Sequence, residues 1–275
     1  MLVVRHEGHK STIAINNPPV NVLSGAVREE LSAAFTEMGK KSVREVHITG
    51  LNGGHFSAGA DLRELRAIVE IEDLKERERA AHQFSQSGQR LIQQVRALSR
   101  IKPVTAWIQG ACTGGGFELA LACSGRVLLG EAILGLPEVT LGIIPGWGGT
   151  ALLTHLFRNI FWPATGTFFA EEWIAEGELF STPEVMESFD GFACYVDDID
   201  VHTQVKPKQR PFSPYANSLA EQAVREVAFP SPEPTEQDFR NEARLFAQAL
   251  VHSDAREGIA AFLEKREAQF APPSN

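Results

Sequence analysis

The stretch from Thr105 to Thr150, TAWIQGACTGGGFELALACSGRVLLGEAILGLPEVTLGIIPGWGGT, constrains this 275-residue chain more than any other. An apolar run (TAWI) leads into the glycines Gly114, Gly115 and Gly116, and a helix-forming run (FELALAC) follows. That order reads as a buried strand, a tight turn and a helix N-terminus. The first N–H groups of a helix lack partners within it and lie at the positive end of its dipole. Glycine lets a ligand approach such a backbone closely, so the turn suits a developing oxyanion. One turn further on stands Glu118, and beyond it Glu138, which follows Pro137; both have apolar neighbours. A glycine triplet can also be nothing more than a turn, and a helical Glu can be a solvated position. However, Phe117, Leu119, Ala120, Leu121, Ala122 and Cys123 surround Glu118, and a carboxylate buried among such residues is costly unless it is paired or used.

The flanking sequence supplies the rest of an α/β pattern. LVVRH (2–6) and STIAIN (11–16) read as a strand hairpin around EGHK. NNPPVN is a loop, and residues 24–39 read as a helix with Ser24 as N-cap and Val27, Leu31, Ala34, Phe35 and Met38 on one face. VHITG (46–50) reads as a strand, which makes a βαβ, mostly parallel arrangement. HFSAGADLREL (55–65) cannot be regular structure through Gly59, and Asp61 is placed to cap the helix that follows. Residues 73–98 read as a helix with Phe84, Leu91, Ile92, Val95 and Leu98 as its stripe; Lys102-Pro103 then resets the chain for a strand over 104–108. Further on, helices are expected over 152–160, 168–176, 215–228 and 235–269, with VKPKQRPFSP (205–214) a basic, turn-rich loop.

Composition excludes several classes. A net charge of −9 argues against a general nucleic-acid surface. No apolar run is long enough to span a bilayer, and MLVVRHEGHKS does not read as a secretory signal. Three cysteines, two of them (Cys112 and Cys123) in apolar runs, read as core residues rather than a disulfide framework, with a reducing cytoplasm as the expected compartment. No His/Cys cluster has metal-ligand spacing.

Taken together, NPPVNVLS (17–24), HFSAGADLREL (55–65), IQGACTGGGFELALAC (108–123), LGLPEVTLGIIPGWGGT (134–150) and SDAREGIAAFLEKREAQF (253–270) resemble the crotonase (enoyl-CoA hydratase/isomerase) superfamily over nearly the whole chain. The resemblance implies an α/β fold with a repeated ββα spiral core over residues 1–200, carrying a CoA-thioester site. It also implies a C-terminal helical region over 201–275 for trimerisation and as a lid over CoA. It assigns an oxyanion hole to the backbone N–H groups of Ala60 and Gly115. Glu118 and Glu138 match the two glutamates of the hydratases, and Val20, Val22, Ala58, Ala60, Leu62, Phe262 and Lys265 match CoA-binding positions. It implies no cofactor beyond the CoA of the substrate, and a homotrimer or hexamer with neither nucleic acid nor membrane as partner. The sequence departs from the family pattern at Ser124, where an Asp is common, at Trp173 and Glu178, and through 180–214.

These matches imply an enoyl-CoA hydratase that adds water across the C2=C3 bond of a 2-enoyl-CoA. Alternatives within the fold are an enoyl-CoA isomerase and a dehydratase or decarboxylase acting on a carrier-protein thioester. An alternative of another class is a catalytically silent CoA-binding scaffold, against which the two glutamates argue.

Overall fold

The computed structural model describes residues 1–51, 54–189, 191–196, 210–231 and 233–272. In chain order the elements are β1 (Leu2–Glu7), β2 (Lys10–Ile15), α1 (Gly25–Lys40), β3 (Glu45–Gly50), α2 (Leu62–Val69), α3 (Leu74–Ile101), β4 (Val104–Thr113), α4 (Gly115–Leu121) and β5 (Gly125–Gly135). A short 3-10 helix (Pro137–Leu141) follows, then α5 (Gly149–Ile160), α6 (Pro163–Ala175), β6 (Leu179–Ser181), α7 (Thr182–Ser188), β7 (Cys194–Val196), α8 (Pro214–Arg225), α9 (Glu236–Val251) and α10 (Ser253–Leu263). The chain divides into two compact units. The first holds Met1–Ala60, Arg90–Leu134 and Phe180–Pro207; the second holds Asp61–Gln89, Gly135–Leu179 and Lys208–Asn275.

The first unit is built on the sheet, whose strand order is β1-β2-β3-β4-β5-β6 with β7 beside β5. β1 and β2 form the expected antiparallel hairpin, in register from Leu2 opposite Ile15 to Glu7 opposite Lys10. β2 with β3 and β3 with β4 are parallel, a pairing that needs crossover connections; α1 supplies the first. Its stripe of Val27, Leu31, Ala34, Phe35 and Met38 is buried as the spacing predicts. Side chains alternate across a strand, and Ile13, Ile15, Val46, Ile48, Val104, Ala106 and Ile108 are all fully buried. β4 runs on to Thr113, five residues past the expected end at 108. Strand β5 has no counterpart in the sequence reading. Its inward positions are Arg126, Leu128, Gly130, Ala132 and Leu134 while Val127 and Leu129 are only half-buried, so no apolar–polar alternation marks it. The buried Arg126 is accommodated because its Nε donates to Phe192 O at 2.9 Å and its guanidinium lies 5.1 Å from the Phe192 ring. Ser124, the departure from the family pattern, accepts from Val104 N–H at 2.8 Å and donates to Val104 O at 2.9 Å, fixing the start of β4.

The second unit is helical. α5 packs on α6, α6 on α8 and α8 on α9. Pro163 opens α6 at its first turn, where the missing N–H costs nothing. Trp173 is fully buried and meets Phe157 edge-on at 5.4 Å between centroids. The single helix expected over 235–269 is in fact two. His252 leaves the helical region at φ −71°, ψ 154° and caps α10, its Nδ1 accepting from Asp254 N–H at 3.3 Å. The basic stretch VKPKQ (205–209) and the division near residue 200 lie outside the described residues. Among the described residues no helix is long and apolar enough to cross a membrane.

Gly88 marks where the packing of this unit is tightest. A Cβ there would fall 2.1 Å from the ring of Trp147, itself buried beside Phe84. Gly88→Ala is therefore expected to lower stability by about 1–3 kcal/mol through overpacking. At Gly39 of α1 a Cβ meets nothing within 4 Å, so Gly39→Ala is expected to raise stability by about 0.5–1 kcal/mol. Denaturant unfolding of both variants measures the contrast; equal effects would mean that Trp147 has room to move.

Candidate active site

Three loops of the first unit are hydrogen-bonded into one platform. Ser57 N–H donates to Ala111 O, and Thr113 N–H to Ser57 O, both at 3.0 Å, so Ser57 lies as a short parallel bridge beside Cys112. Ala58 N–H donates to Val20 O at 2.9 Å, and Leu23 N–H to Gly59 O at 2.8 Å. The fully buried Ser57 hydroxyl donates to Asn21 O at 2.7 Å and accepts from Gly59 N–H at 3.1 Å. Asn21, at φ 54°, turns its own side chain back to donate to His55 O at 2.7 Å.

The glycines are there because the backbones approach too closely for a side chain. Gly59 has φ +93°, and a Cβ on it would lie 2.7 Å from Thr113 O and 3.0 Å from Gly115 N. Gly114, at φ 52° and ψ −131°, turns the chain into α4. The Ala60 loop is thereby held against the start of α4. Neither the Ala60 N–H nor the Gly115 N–H has an acceptor among the described residues. Glu118, one turn into α4, is buried, and its N–H donates to Gly114 O at 2.9 Å.

In the second unit Glu138 lies in the 3-10 helix, which Pro137 opens. Its side chain is buried, and among the described residues Oε2 has no hydrogen-bond partner. Burial holds its pKa well above the usual carboxylate range; its own N–H opposes the shift, and the charge of the neighbouring Glu242 adds to it.

A profile of the enoyl-CoA hydratase/isomerase family matches residues 9–273. The chain belongs to this family. A probable enoyl-CoA hydratase of Bacillus subtilis is 34% identical over 261 residues, 94% of each chain. The 2,3-dehydroadipyl-CoA hydratase of Escherichia coli is 31% identical over 279 residues, 98% of each. Among solved structures, an enoyl-CoA hydratase from Rhodobacter sphaeroides shares the fold at a TM-score of 0.75 and 20% identity, covering 98% of this chain and 91% of its own. One from Bacillus anthracis is 30% identical, with a TM-score of 0.60 and 98% of both chains covered.

The family positions fall into both units. Val20, Val22, Ala58, Ala60, Gly115 and Glu118 lie in the first, where the hydrogen bonds above join the loops of Val20, Ala58 and Gly115. Leu62, Glu138, Phe262 and Lys265 lie in the second. Leu62 begins α2 just after Asp61, whose side chain accepts from Arg63 N–H at 3.0 Å, the cap expected from sequence. Phe262 is exposed on α10 with the Arg210 guanidinium 5.1 Å from its ring. Lys265 lies past the end of α10 in the left-handed region, at φ 57°.

Three buried carboxylates, Asp238, Glu242 and Asp254, escaped the sequence reading. Glu242 of α9 is only 1% exposed and accepts from Gly148 N–H, Thr150 N–H and the Thr150 hydroxyl. Its signal was present, since Glu242 falls on the same helical stripe as Phe239, Leu245 and Phe246, all buried. Burial raises its pKa too, opposed by the hydrogen bonds from Thr150 and Gly148 and by Gln89.

The platform depends on Ser57. Ser57→Ala strands a buried carbonyl and a buried N–H, and is expected to cost about 1–3 kcal/mol of stability. The exposed Ser218, whose hydroxyl donates to Tyr215 O at 2.8 Å, is the control: Ser218→Ala is expected to change stability by less than about 0.5 kcal/mol. Denaturant midpoints compare the two, and a Ser57 variant as stable as the Ser218 one would contradict the clasp.

Proposed function

We propose that the protein is an enoyl-CoA hydratase, adding water across C2=C3 of a 2-enoyl-CoA thioester. The observation that carries this reading is the buried carboxyl of Glu138, whose Oε2 has no partner among the described residues and whose burial favours the neutral form. Such a group suits delivery of a proton. The Ala60 and Gly115 N–H groups receive the thioester oxygen as negative charge develops on it. Preorganised donors of this type are worth about 3–4 kcal/mol each. Glu118 takes a proton from water as its oxygen bonds to C3, the enolate-like electrons collapse onto C2, and Glu138 protonates C2.

Val20, Val22, Ala58 and Leu62 bind the CoA arm. Phe262 lies near the adenine and Lys265 near a phosphate, as a point charge. The reaction drawn here uses no group beyond these residues and the CoA of the substrate. A homotrimer, or a hexamer of paired trimers, assembles through the C-terminal helices. The free cysteines Cys112, Cys123 and Cys194 suit a reducing cytoplasm.

Glu118→Gln and Glu138→Gln are each expected to lower hydration of crotonyl-CoA by about 10²–10⁴-fold while binding of a CoA thioester persists. A variant with near-parental turnover removes that glutamate from the mechanism. Gly115→Pro deletes one carbonyl donor and is expected to abolish turnover, whereas Ala60→Gly keeps its N–H and is expected to be mild. Full activity in Gly115→Pro would put the carbonyl elsewhere. Light scattering tests assembly: a trimer or a multiple of it is expected, and an active monomer stable to dilution would contradict it.

A further inference from the structure

Ser213 and Asp254 are buried polar side chains of the second unit that take no part in the proposed reaction. Ser213, the residue before α8, is fully buried, and Asp254, in the first turn of α10, is 3% exposed. The Ser213 hydroxyl donates to Asp254 Oδ2 and accepts from Ala216 N–H at 3.0 Å. The Ser213 N–H donates to Val139 O at 3.0 Å. Val139 directly follows Glu138 in the 3-10 helix. A buried hydroxyl that donates and accepts at once has little freedom left, and it holds the N–H of its own residue in place.

The starts of α8 and α10 are fastened a second time. Tyr215 stacks on His252 with ring centroids 3.9 Å apart, and His252 Nδ1 accepts from Asp254 N–H at 3.3 Å. The start of α10 in turn lies against the end of the 3-10 helix. A Cβ on Gly142 would fall 2.3 Å from Asp254 O, and one on Gly258 would fall 2.4 Å from Leu141 O. Just past the end of α6, a Cβ on Gly177 would lie 2.7 Å from Val139 Cγ2. The 3-10 helix is only five residues long, and such helices have poor hydrogen-bond geometry of their own. Its neighbours therefore fix where it lies. The Glu138 carboxyl has no partner on Oε2 among the described residues, so it is aimed by the backbone that carries it.

We propose that Ser213, held by Asp254, is a positioning residue. Through Val139 O it fixes the 3-10 helix at the place from which Glu138 delivers its proton. The proposal rests on the hydratase reading of Glu138.

A residue that acts through one catalytic group is detected by a double-mutant cycle. Ser213→Ala keeps the N–H to Val139 but releases it from Asp254 and Ala216. For crotonyl-CoA hydration it is expected to lower kcat by about 10-fold or more, because misplacing a reacting group by about 1 Å can cost about 10²-fold. KM is expected to stay within about twofold, since the proton reaches C2 only in the transition state. In the Glu138→Gln background, assayed at enzyme concentrations that keep the slow rate measurable, Ser213→Ala is expected to add less than about twofold.

A parental kcat in Ser213→Ala overturns the proposal, and so does a rise in KM alone. An equal further loss in the Glu138→Gln background also overturns it and leaves Ser213 as a structural support of the unit. Near-parental turnover of Glu138→Gln by itself overturns the hydratase reading. Loss of turnover in Glu138→Gln with an additive effect of Ser213→Ala overturns only the role of Ser213. If Ser213→Ala does not melt cooperatively, Ser213→Cys enters the cycle with the same expectations, because its thiol is a weaker donor and acceptor in the same place.

Discussion

The Ser57 hydroxyl, buried between the Asn21 carbonyl and the Gly59 N–H, holds the loop after β2 and the loop after β3 in one register beside the end of β4. The arrangement of these loops in the first unit depends on that clasp. It sets Gly59 so close to Gly115 that a methyl group would not fit, and among the described residues the N–H groups of Ala60 and Gly115 have no acceptors. Neither N–H belongs to a side chain, so the arrangement is stored in backbone geometry, and the glycines and the αL turn at Asn21 are its structural requirements.

The buried carboxylates follow a second constraint. Carboxylates are expensive to bury, yet Glu118, Glu138 and Glu242 are all nearly inaccessible. In the second unit hydrogen bonds from the start of α5 offset that expense for Glu242, whereas Glu138 keeps an oxygen without a partner among the described residues.

The legible parts of the sequence were those in which local pattern and tertiary demand coincide. The α1 stripe, the hairpin, the Asp61 cap and the strand–turn–helix around Gly114 to Gly116 could be read directly, because each is specified by spacing or by a turn residue. Strand β5 could not, since Arg126 and Gly130 occupy inward positions and Val127 and Leu129 outward ones. The break at His252 was hidden because the apolar spacing continues through it, and only the cap to Asp254 shows that the helix restarts. For the site, the motif residues were visible one at a time, whereas Ser57 and Glu242 matter through partners more than 30 and 90 positions away, at Asn21 and at Gly148 and Thr150. Glu242 was nonetheless detectable as a charged residue on the apolar stripe of α9.

The central claim is that this site adds water to a conjugated thioester rather than moving its double bond. Turnover of crotonyl-CoA in deuterated, heavy-oxygen water tests it most directly, with the product read by mass spectrometry. The account predicts a 3-hydroxyacyl-CoA carrying the heavy oxygen at C3 and one deuterium at C2. Deuterium uptake with a shifted double bond and no heavy oxygen in the product would contradict it.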